Sequence, residues 1–353
     1  MKKKTKKILI ILVSSLLGLF LIIFLSYKMS LSPVGGKTVI FTVNSGDTVS
    51  YVIANLKEQN LIKNSVSAKV YAKLHNLTTQ TGVYKVNPKK STGEILKMIN
   101  DGKTYNNEIS VTFIEGKRLT DYASVISANF PYSEEEVMNQ LDDKTYLNEL
   151  INKYSFLETD ILKEGIYHPL EGYLFPDTYS FYKTATIKEI IETMLNNTER
   201  KLNELDEYVK TSSFSIHELM TLASIVELEG AGTSDRAGIA GVFYNRLNQG
   251  IPLGSDVTTY YSVHKDFTSD LKVSELNSCN GYNTRNTTCV PGLPIGPIAS
   301  PGIDAIKAVL NPKASDYLYF VADKNGNIYY SKTDAEHVAT VDRLKREGLW
   351  YTY

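Results

Sequence analysis

An uncharged apolar run near the N-terminus most constrains what this chain can fold into. Residues 8–25 are eighteen Ile, Leu, Val, Phe, Ser and Gly side chains in succession, and Ser26 and Tyr27 extend the run. A helix of that length crosses the hydrocarbon core of a bilayer. We therefore predict a transmembrane helix over residues 8–27 and expect the rest of the chain to fold outside the membrane.

The residues on either side of this run predict its orientation. Residues 1–7 form a basic tail with five lysines and no acid, and basic segments stay in the cytoplasm. The C-terminal part is then extracellular, in a single-pass protein of the cell membrane. A cleaved signal peptide is the alternative, but it would have a shorter apolar region and a small-x-small cleavage site, which residues 26–29 do not show. Residues 28–37, with Pro33, form a linker.

The composition is that of a globular protein and excludes one class of partner. Hydrophobic residues make up 42% and charged residues 22% of the 353 positions. Removing the five N-terminal lysines from a net charge of −1 leaves −6 on the remainder, so no basic surface is available to bind nucleic acid. The five histidines are scattered, none at ligand spacing from a cysteine, and we expect no metal and no cofactor.

Residues 38–103 are predicted to form a small α+β module. The patterns indicate a strand at 39–43, helices at 49–58 and 66–74, a strand at 82–86 and a helix at 91–100. The string FTVNSGDTV at 41–49 resembles the opening of a LysM repeat, a module that binds glycans containing N-acetylglucosamine. The alternative is a small packing domain with the same turn chemistry.

Residues 104–212 are predicted to be a helical, α+β part of the catalytic region. A strand fits residues 107–114, helical patterns occupy 119–154, and a long amphipathic helix fits 187–209. The aromatic segment EGYLFPDTY at 171–179 lies between them. Aromatic faces of this kind can pack on sugar rings, although they fill cores more often.

Residues 213–353 are predicted to be the catalytic core, built on an apolar helix. Residues 217–228 are apolar nearly all the way round, which is typical of a buried helix, and Glu227 lies in this run. Burial favours the neutral form of a carboxyl group, so Glu227 is a candidate general acid near neutral pH. The alternative is a structural glutamate that caps the helix end or reaches solvent.

The chain beyond residue 250 is irregular before it closes with regular elements. Ser255 and Asp256 lie at a turn, and the Gly/Pro-rich residues 291–302 are expected to form an ordered wall of a site. Cys279 and Cys289 can form a disulfide on the extracellular side, or remain two free thiols. A helix at 303–310, a hairpin over 317–331 and a helix at 334–347 complete an α+β fold.

The order of motifs along the chain resembles a known family. The segments EGYLFPDTY, ASIVELE, FYNRL, LGSD, YNT, GLPIGPIASPG and YLYFVAD follow the anchor and the LysM-like module. This order resembles the MltG/YceG family of membrane-anchored endolytic murein transglycosylases. The resemblance implies that Glu227 is the catalytic acid/base. It also implies that a set of polar residues lies along the glycan cleft: Asn245, Arg246, Ser255, Asp256, Tyr282, Asn283 and Thr284.

The resemblance also implies a reaction and partners. Glu227 would protonate the glycosidic oxygen between N-acetylmuramic acid and N-acetylglucosamine, and the muramoyl C6 hydroxyl would then attack C1, leaving 1,6-anhydromuramoyl ends. The substrate would be strands of nascent peptidoglycan, beside the cell-wall synthesis machinery. The chain departs from the family pattern at Arg285, where a second Tyr is expected, and in a lengthened connection over 286–291.

Two other functions remain open from the sequence. A hydrolase on the same substrate would require a second carboxylate at a set separation from the first, for which Glu229, Asp235 and Asp256 are candidates. Glu229 is two positions from Glu227, about 200° round the helix, and is expected to face elsewhere. A membrane-tethered scaffold that binds glycans with an inert Glu227 is the third hypothesis.

Overall fold

The structure, a computed structural model, describes residues 2–105, 108–230, 232–267 and 269–350, without the side chains of 2–5 and 233. The chain divides after residue 107 into two compact units. Helices dominate both units, and the described strands form three separate two-stranded antiparallel sheets. The predicted α+β class is confirmed.

The first unit begins with the long helix α1 (Lys2–Ser30). Within it, Lys6–Ser30 comprises 25 residues, an 18-residue stretch of which has a mean hydropathy of 3.2, and its apolar side chains are exposed. At 1.5 Å per residue this segment is about 38 Å long, which exceeds the hydrocarbon thickness of a bilayer. The prediction of one N-terminal helix able to span a membrane is confirmed.

The remainder of the first unit is a small module with its own core. Its elements are β1 (Val39–Val43), α2 (Val49–Glu58), α3 (Ser65–Leu74), β2 (Gly82–Val86) and α4 (Thr92–Asn100). β1 and β2 pair antiparallel with Val39 opposite Val86. Buried Phe41, Ile53 and Tyr84 belong to one hydrophobic cluster. The predicted order of strand, two helices, strand and helix is confirmed.

The second unit contains the other elements in one larger hydrophobic core. Its N-terminal half comprises β3 (Glu108–Thr112), α5 (Leu119–Asn129), α6 (Glu134–Leu141), α7 (Lys144–Lys153), a 3₁₀ turn (Thr159–Leu162), β4 (Thr178–Tyr182), α8 (Ile187–Asn203) and α9 (Asp206–Thr211). Its C-terminal half comprises α10 (Ile216–Glu229), α11 (Thr233–Asn248), α12 (Asp256–Ser262), α13 (Val273–Leu276), α14 (Ile303–Leu310), β5 (Tyr319–Ala322), β6 (Ile328–Ser331) and α15 (Asp334–Arg346). β3 pairs with β4, and β5 with β6.

The single helix predicted over 187–209 is two helices in the structure. α8 ends at Asn203, and the backbone of Leu205 leaves helical geometry with φ −111° and ψ 13° before α9 starts. Leu202, Leu205 and Val209 all pack on the same core. The apolar spacing therefore continues through the break, which is why the pattern did not reveal it.

α10 lies at the centre of the second unit and presents the candidate site. It begins at a capping box, in which Ser215 Oγ accepts the Glu218 N–H at 3.2 Å and the Glu218 carboxylate accepts the Ser215 N–H at 2.9 Å. The helix packs against α11, α12 and α14. Every residue from His217 to Glu227 except Glu218 is buried, as expected for a helix that is apolar all round.

The backbone at Lys313 lies so close to Gly241 of α11 that we expect this glycine not to tolerate a larger side chain. A Cβ atom at Gly241 would lie 2.3 Å from the backbone carbonyl oxygen of Lys313. The backbone N–H of Lys313 donates to Ala237 O at 2.8 Å, which holds this segment against α11. Because a backbone atom cannot rotate away, we expect Gly241→Ala to lower the free energy of unfolding by about 2–3 kcal/mol in urea denaturation. Gly292→Ala is the control, since its nearest neighbour would be a Leu247 methyl carbon at 3.9 Å. Equal stability of both variants would contradict this packing.

Candidate active site

The last turn of α10 carries two glutamates in different surroundings. Glu227 and Glu229 are two positions apart, so their side chains leave the helix in directions about 200° apart. Each carboxylate therefore meets a different part of the second unit. The environments of the two groups decide which chemistry each can perform.

Glu227 is enclosed by an arginine and a backbone amide. Its side chain is 4% exposed, Oε1 forms an ion pair with Arg236 Nη2, and Oε2 accepts the Gly302 N–H at 3.0 Å. Burial raises the pKa of the Glu227 carboxyl group, while the Gly302 amide and the Arg236 guanidinium act in the opposite direction. Both carboxylate oxygens are occupied by protein groups.

Glu115 joins this cluster from the loop after β3, and the sequence analysis missed it. Its Oε1 lies 3.6 Å from Arg236 Nη2, so one guanidinium is shared by two carboxylates. A Cβ atom at Gly302 would lie 2.0 Å from Glu115 Oε2 and 3.3 Å from Glu227 Oε2, so both groups also crowd one glycine. The two residues are far apart in sequence, and only the fold brings them together.

Glu229 lines a cavity on the other side of the helix. The cavity has a volume of about 610 Å³. Ser255 Oγ donates a hydrogen bond to Glu229 Oε1 at 2.6 Å, which fixes the orientation of the carboxyl group. Glu227 does not belong to the lining of this cavity. A glycan in the cavity would therefore meet Glu229 rather than Glu227.

The surroundings of Glu229 raise the pKa of its carboxyl group towards neutral pH. Burial, mainly, raises the pKa of the Glu229 carboxyl group to about 7, and the negative charge of Asp256 adds to this effect. The Ser255 hydrogen bond and the nearby Arg285 guanidinium act in the opposite direction. A carboxyl group that is about half protonated at neutral pH can act first as an acid and then as a base.

Three of the residues predicted to bind substrate lie in the same cavity as Glu229: Arg246, Ser255 and Asp256. Arg246 donates from Nη1 to Leu253 O at 2.9 Å, and its guanidinium carbon lies 5.1 Å from the centre of the Tyr319 ring. Asp256 Oδ1 accepts from Arg285 Nε at 2.5 Å. The structure therefore brings these three residues together around Glu229.

The other four residues predicted to contact substrate are not part of the cavity lining. Asn245 Nδ2 donates to Ser315 O and Tyr317 O, both at 2.9 Å, and so holds the segment that leads into β5. Tyr282, Asn283 and Thr284 are at most 1% exposed. The amide groups of Asn245 and Asn283 are satisfied by protein partners, and the prediction that these four residues bind substrate stays a prediction.

The buried YNT segment (residues 282–284) packs beneath the cavity and holds residues of its wall in place. Thr284 Oγ1 accepts the Ser255 N–H at 3.0 Å, and Asn283 Oδ1 accepts from Thr259 Oγ1 at 2.7 Å. The Tyr282 ring packs against Tyr167 and Tyr261, with centroids 4.7 and 4.8 Å apart. These contacts fix the backbone that presents Ser255 and Asp256 to the cavity.

Aromatic side chains complete the cavity, and the sequence analysis did not assign them. Tyr319, Phe320, His337 and Trp350 lie in its wall, contributed by β5, α15 and the segment after α15. The Tyr319 and His337 rings stack with centroids 5.5 Å apart. The YLYFVAD motif carried a signal for β5, but nothing in the sequence indicated that α15 reaches the same site. Aromatic faces beside polar groups are suited to sugar rings.

Comparisons with known proteins identify the family of this chain. Residues 41–343 match the YceG-like family. This chain belongs to the YceG-like family. It is 37% identical over 323 residues to an endolytic murein transglycosylase of Bacillus subtilis, which covers 89% of this chain and 88% of that protein.

Two further proteins extend the comparison. An endolytic murein transglycosylase of Streptococcus pneumoniae is 34% identical over 319 residues, covering 85% of this chain and 57% of that longer protein. The crystal structure of a YceG-like protein from Listeria monocytogenes superposes with a TM-score of 0.62 at 32% identity, covering 86% of this chain and 99% of the other. The predicted family is confirmed.

This YceG-like chain contains a disulfide behind the site. Cys279 and Cys289 are bonded, with Cα atoms 5.6 Å apart, and the bond closes the loop that carries the YNT segment and Arg285. Within the described ranges, no group of three or more His, Cys, Asp or Glu side chains is arranged to hold a metal ion.

Proposed function

We propose that this protein is a membrane-anchored endolytic murein transglycosylase that cleaves the bond between N-acetylmuramic acid and N-acetylglucosamine. The names of its relatives support the activity, and the cavity on α10 supports the chemistry. One observation carries the assignment of the acid. Glu229, with a pKa of about 7, lines a cavity large enough for sugar units and is oriented by Ser255.

In this proposal Glu229 takes the acid/base role predicted for Glu227. The prediction for Glu227 remains untested. Burial raises the pKa of its carboxyl group, but Arg236 and Gly302 occupy its two oxygens, and it does not line the cavity. Glu229 in its neutral form donates a proton to the glycosidic oxygen as positive charge develops at C1. A correctly placed acid of this kind contributes about 10²- to 10⁴-fold to a rate.

The nucleophile in this proposal belongs to the substrate. The ionised Glu229 removes the proton of the muramoyl C6 hydroxyl, and that oxygen attacks C1 of the same sugar to close a 1,6-anhydro ring. An intramolecular nucleophile has a high effective concentration, so no activated water is required. Asp256, the carboxylate that a hydrolase could use beside Glu229, is held by Arg285 at 2.5 Å. This ion pair favours the transglycosylase over the hydrolase.

We further propose how the protein is placed in the cell. α1 anchors it in the cell membrane, and the lysines at its N-terminus keep that end in the cytoplasm, so both folded units are extracellular. The LysM-like module of the first unit binds glycan, and the catalytic unit cuts nascent strands near the synthesis machinery. Cleavage there terminates or trims the strands.

Mass spectrometry of digested peptidoglycan tests the proposed function. The full-length protein in detergent micelles is incubated with purified peptidoglycan, and the released fragments are weighed. We expect fragments with 1,6-anhydromuramoyl ends, released from within strands. Fragments one water heavier would show that the protein is a hydrolase, and binding without cleavage would support the scaffold hypothesis.

The pKa of Glu229 predicts the pH dependence of cleavage. Because the neutral carboxyl group is the proton donor and its pKa is about 7, we expect kcat/KM to fall as the pH rises through about 7. Ser255→Ala removes a hydrogen bond that stabilises the charged form, so the pKa rises and the fall moves to higher pH. A pH profile that is the same in both proteins would contradict the role of this pair.

A further inference from the structure

Arg285 places a cation in the cavity at a position where the family pattern has a tyrosine. Its side chain is 44% exposed and lines the same cavity as Glu229. It follows the buried YNT segment directly and lies between the two bonded cysteines. The function derived above uses this residue only as the partner of Asp256.

The loop holds Arg285 in place. Its backbone N–H donates to Asn283 Oδ1 at 3.1 Å, and the disulfide limits the movement of the loop. The side chain donates from Nε to Asp256 at 2.5 Å. Across the described parts of the chain, no hydrogen bond from Arg285 Nη1 or Nη2 is recorded, so four of its five N–H donors remain for a ligand.

A second guanidinium lies in the same cavity. Arg246 has no acidic partner within 4.0 Å among the residues that the structure describes, and its Nη1 contacts the carbonyl oxygen of Leu253. Burial lowers the pKa of Arg246, Tyr319 acts in the opposite direction, and the positive charge of Arg285 lowers this pKa by a smaller amount. Three acids of the described chain also line the cavity: Asp256 pairs with Arg285, whereas Glu229 and Asp334 form no ion pair with either arginine. A negatively charged ligand group would relieve the repulsion between the arginines.

The substrate of the proposed function offers such a group. Each muramoyl unit carries a lactyl side chain that ends in a carboxyl group, whereas N-acetylglucosamine carries no acid. The lactyl carboxyl group is either free or joined to a stem peptide, which has carboxylates of its own. Guanidinium groups bind carboxylates through two parallel N–H donors, a geometry that Lys cannot reproduce.

We propose that Arg285 is a specificity-determining residue that binds a carboxylate of the muramoyl unit in the Glu229 cavity. This inference rests on the proposed function, because it names a group on the same substrate. Asp256 positions the guanidinium through Nε, and Nη1 and Nη2 contact the ligand. Strands with acidic muramoyl units are then bound in preference to the same strands without their charges.

A binding measurement with matched strands tests this proposal. Full-length Glu229→Gln protein in detergent micelles is titrated with three probes: glycan strands with free lactyl carboxylates, the same strands with those groups converted to methylamides, and strands that retain stem peptides. We expect the best acidic probe to bind about tenfold more tightly than the methylamide probe. The two acidic probes show whether the lactyl group or the stem peptide supplies the carboxylate.

Variants in the Glu229→Gln background identify the residue responsible. Arg285→Ala should reduce the tenfold preference to less than about twofold, Arg285→Lys should retain part of it, and the exposed Arg200→Ala should leave it unchanged. A preference that persists in Arg285→Ala would overturn the proposal, as would equal binding of all probes by the parent. Cleavage of a probe by the Glu229→Gln protein would instead contradict the proposed acid, and the same digests reveal it.

Discussion

Glu229→Gln is expected to reduce the rate of glycan cleavage by about a thousandfold while leaving the fold intact. Glutamine retains the shape and the hydrogen-bond acceptor for Ser255 Oγ, but it cannot transfer the proton. The comparison is kcat/KM for the release of soluble fragments by the parent and the variant. The variant should still bind strands, because the rest of the cavity lining is unchanged.

Glu227→Gln is the matched control for this experiment. The substitution also replaces a glutamate of α10, but on the side of the helix where the carboxylate oxygens contact Arg236 and Gly302. We expect folded Glu227→Gln to retain activity within about tenfold of the parent, since it does not line the cavity. A full loss of cleavage in Glu227→Gln with an active Glu229→Gln would assign the acid to Glu227, as the sequence predicts.

Arg236→Met is expected to destabilise the second unit by about 3–5 kcal/mol. The substitution keeps an unbranched but shorter side chain, and it leaves the carboxylate of Glu227 buried with only the Gly302 amide as a partner. Removing one partner of a buried ion pair has effects of this size. Urea denaturation followed by circular dichroism measures the loss, and Lys210→Met, which breaks an exposed pair with Asp206, should change stability by less than about 1 kcal/mol.

A double variant distinguishes the stability lost by leaving Glu227 unpaired from the stability lost by removing the packing of Arg236. Replacing Glu227 by Gln in the Arg236→Met protein removes the unpaired charge, so part of the stability should return. Stability that falls further in the double variant would show that the two side chains contribute independently. The cluster would then not behave as a coupled pair.

Local sequence patterns were sufficient to predict most of the elements. The uncharged run at 8–25 and the alternation of strands and helices at 38–103 depend on neighbours in the chain. Such signals are visible without the fold. The resemblance to a family also identified Arg246, Ser255 and Asp256, which the structure brings together.

The orientation of the site could not be predicted from the sequence. α10 is apolar nearly all round, so its pattern does not show which side faces a cavity. The sequence predicted that Glu229 faces away from Glu227, but it did not indicate that Glu229 lines a cavity. The pairing of Glu115 with Arg236 joins residues distant in the chain. The burial of the YNT segment depends on contacts with Tyr167 and Thr259 that no local pattern encodes.

The origin of the oxygen bound to C1 of the newly formed muramoyl end tests the central claim most directly. Peptidoglycan is digested by the full-length protein in water enriched in ¹⁸O, and the fragments are weighed. An attack by the muramoyl C6 hydroxyl takes no oxygen from solvent, so we expect unlabelled 1,6-anhydro ends whose formation requires Glu229. One ¹⁸O atom in each new end would contradict intramolecular transfer and would show that solvent water is the nucleophile in the Glu229 cavity.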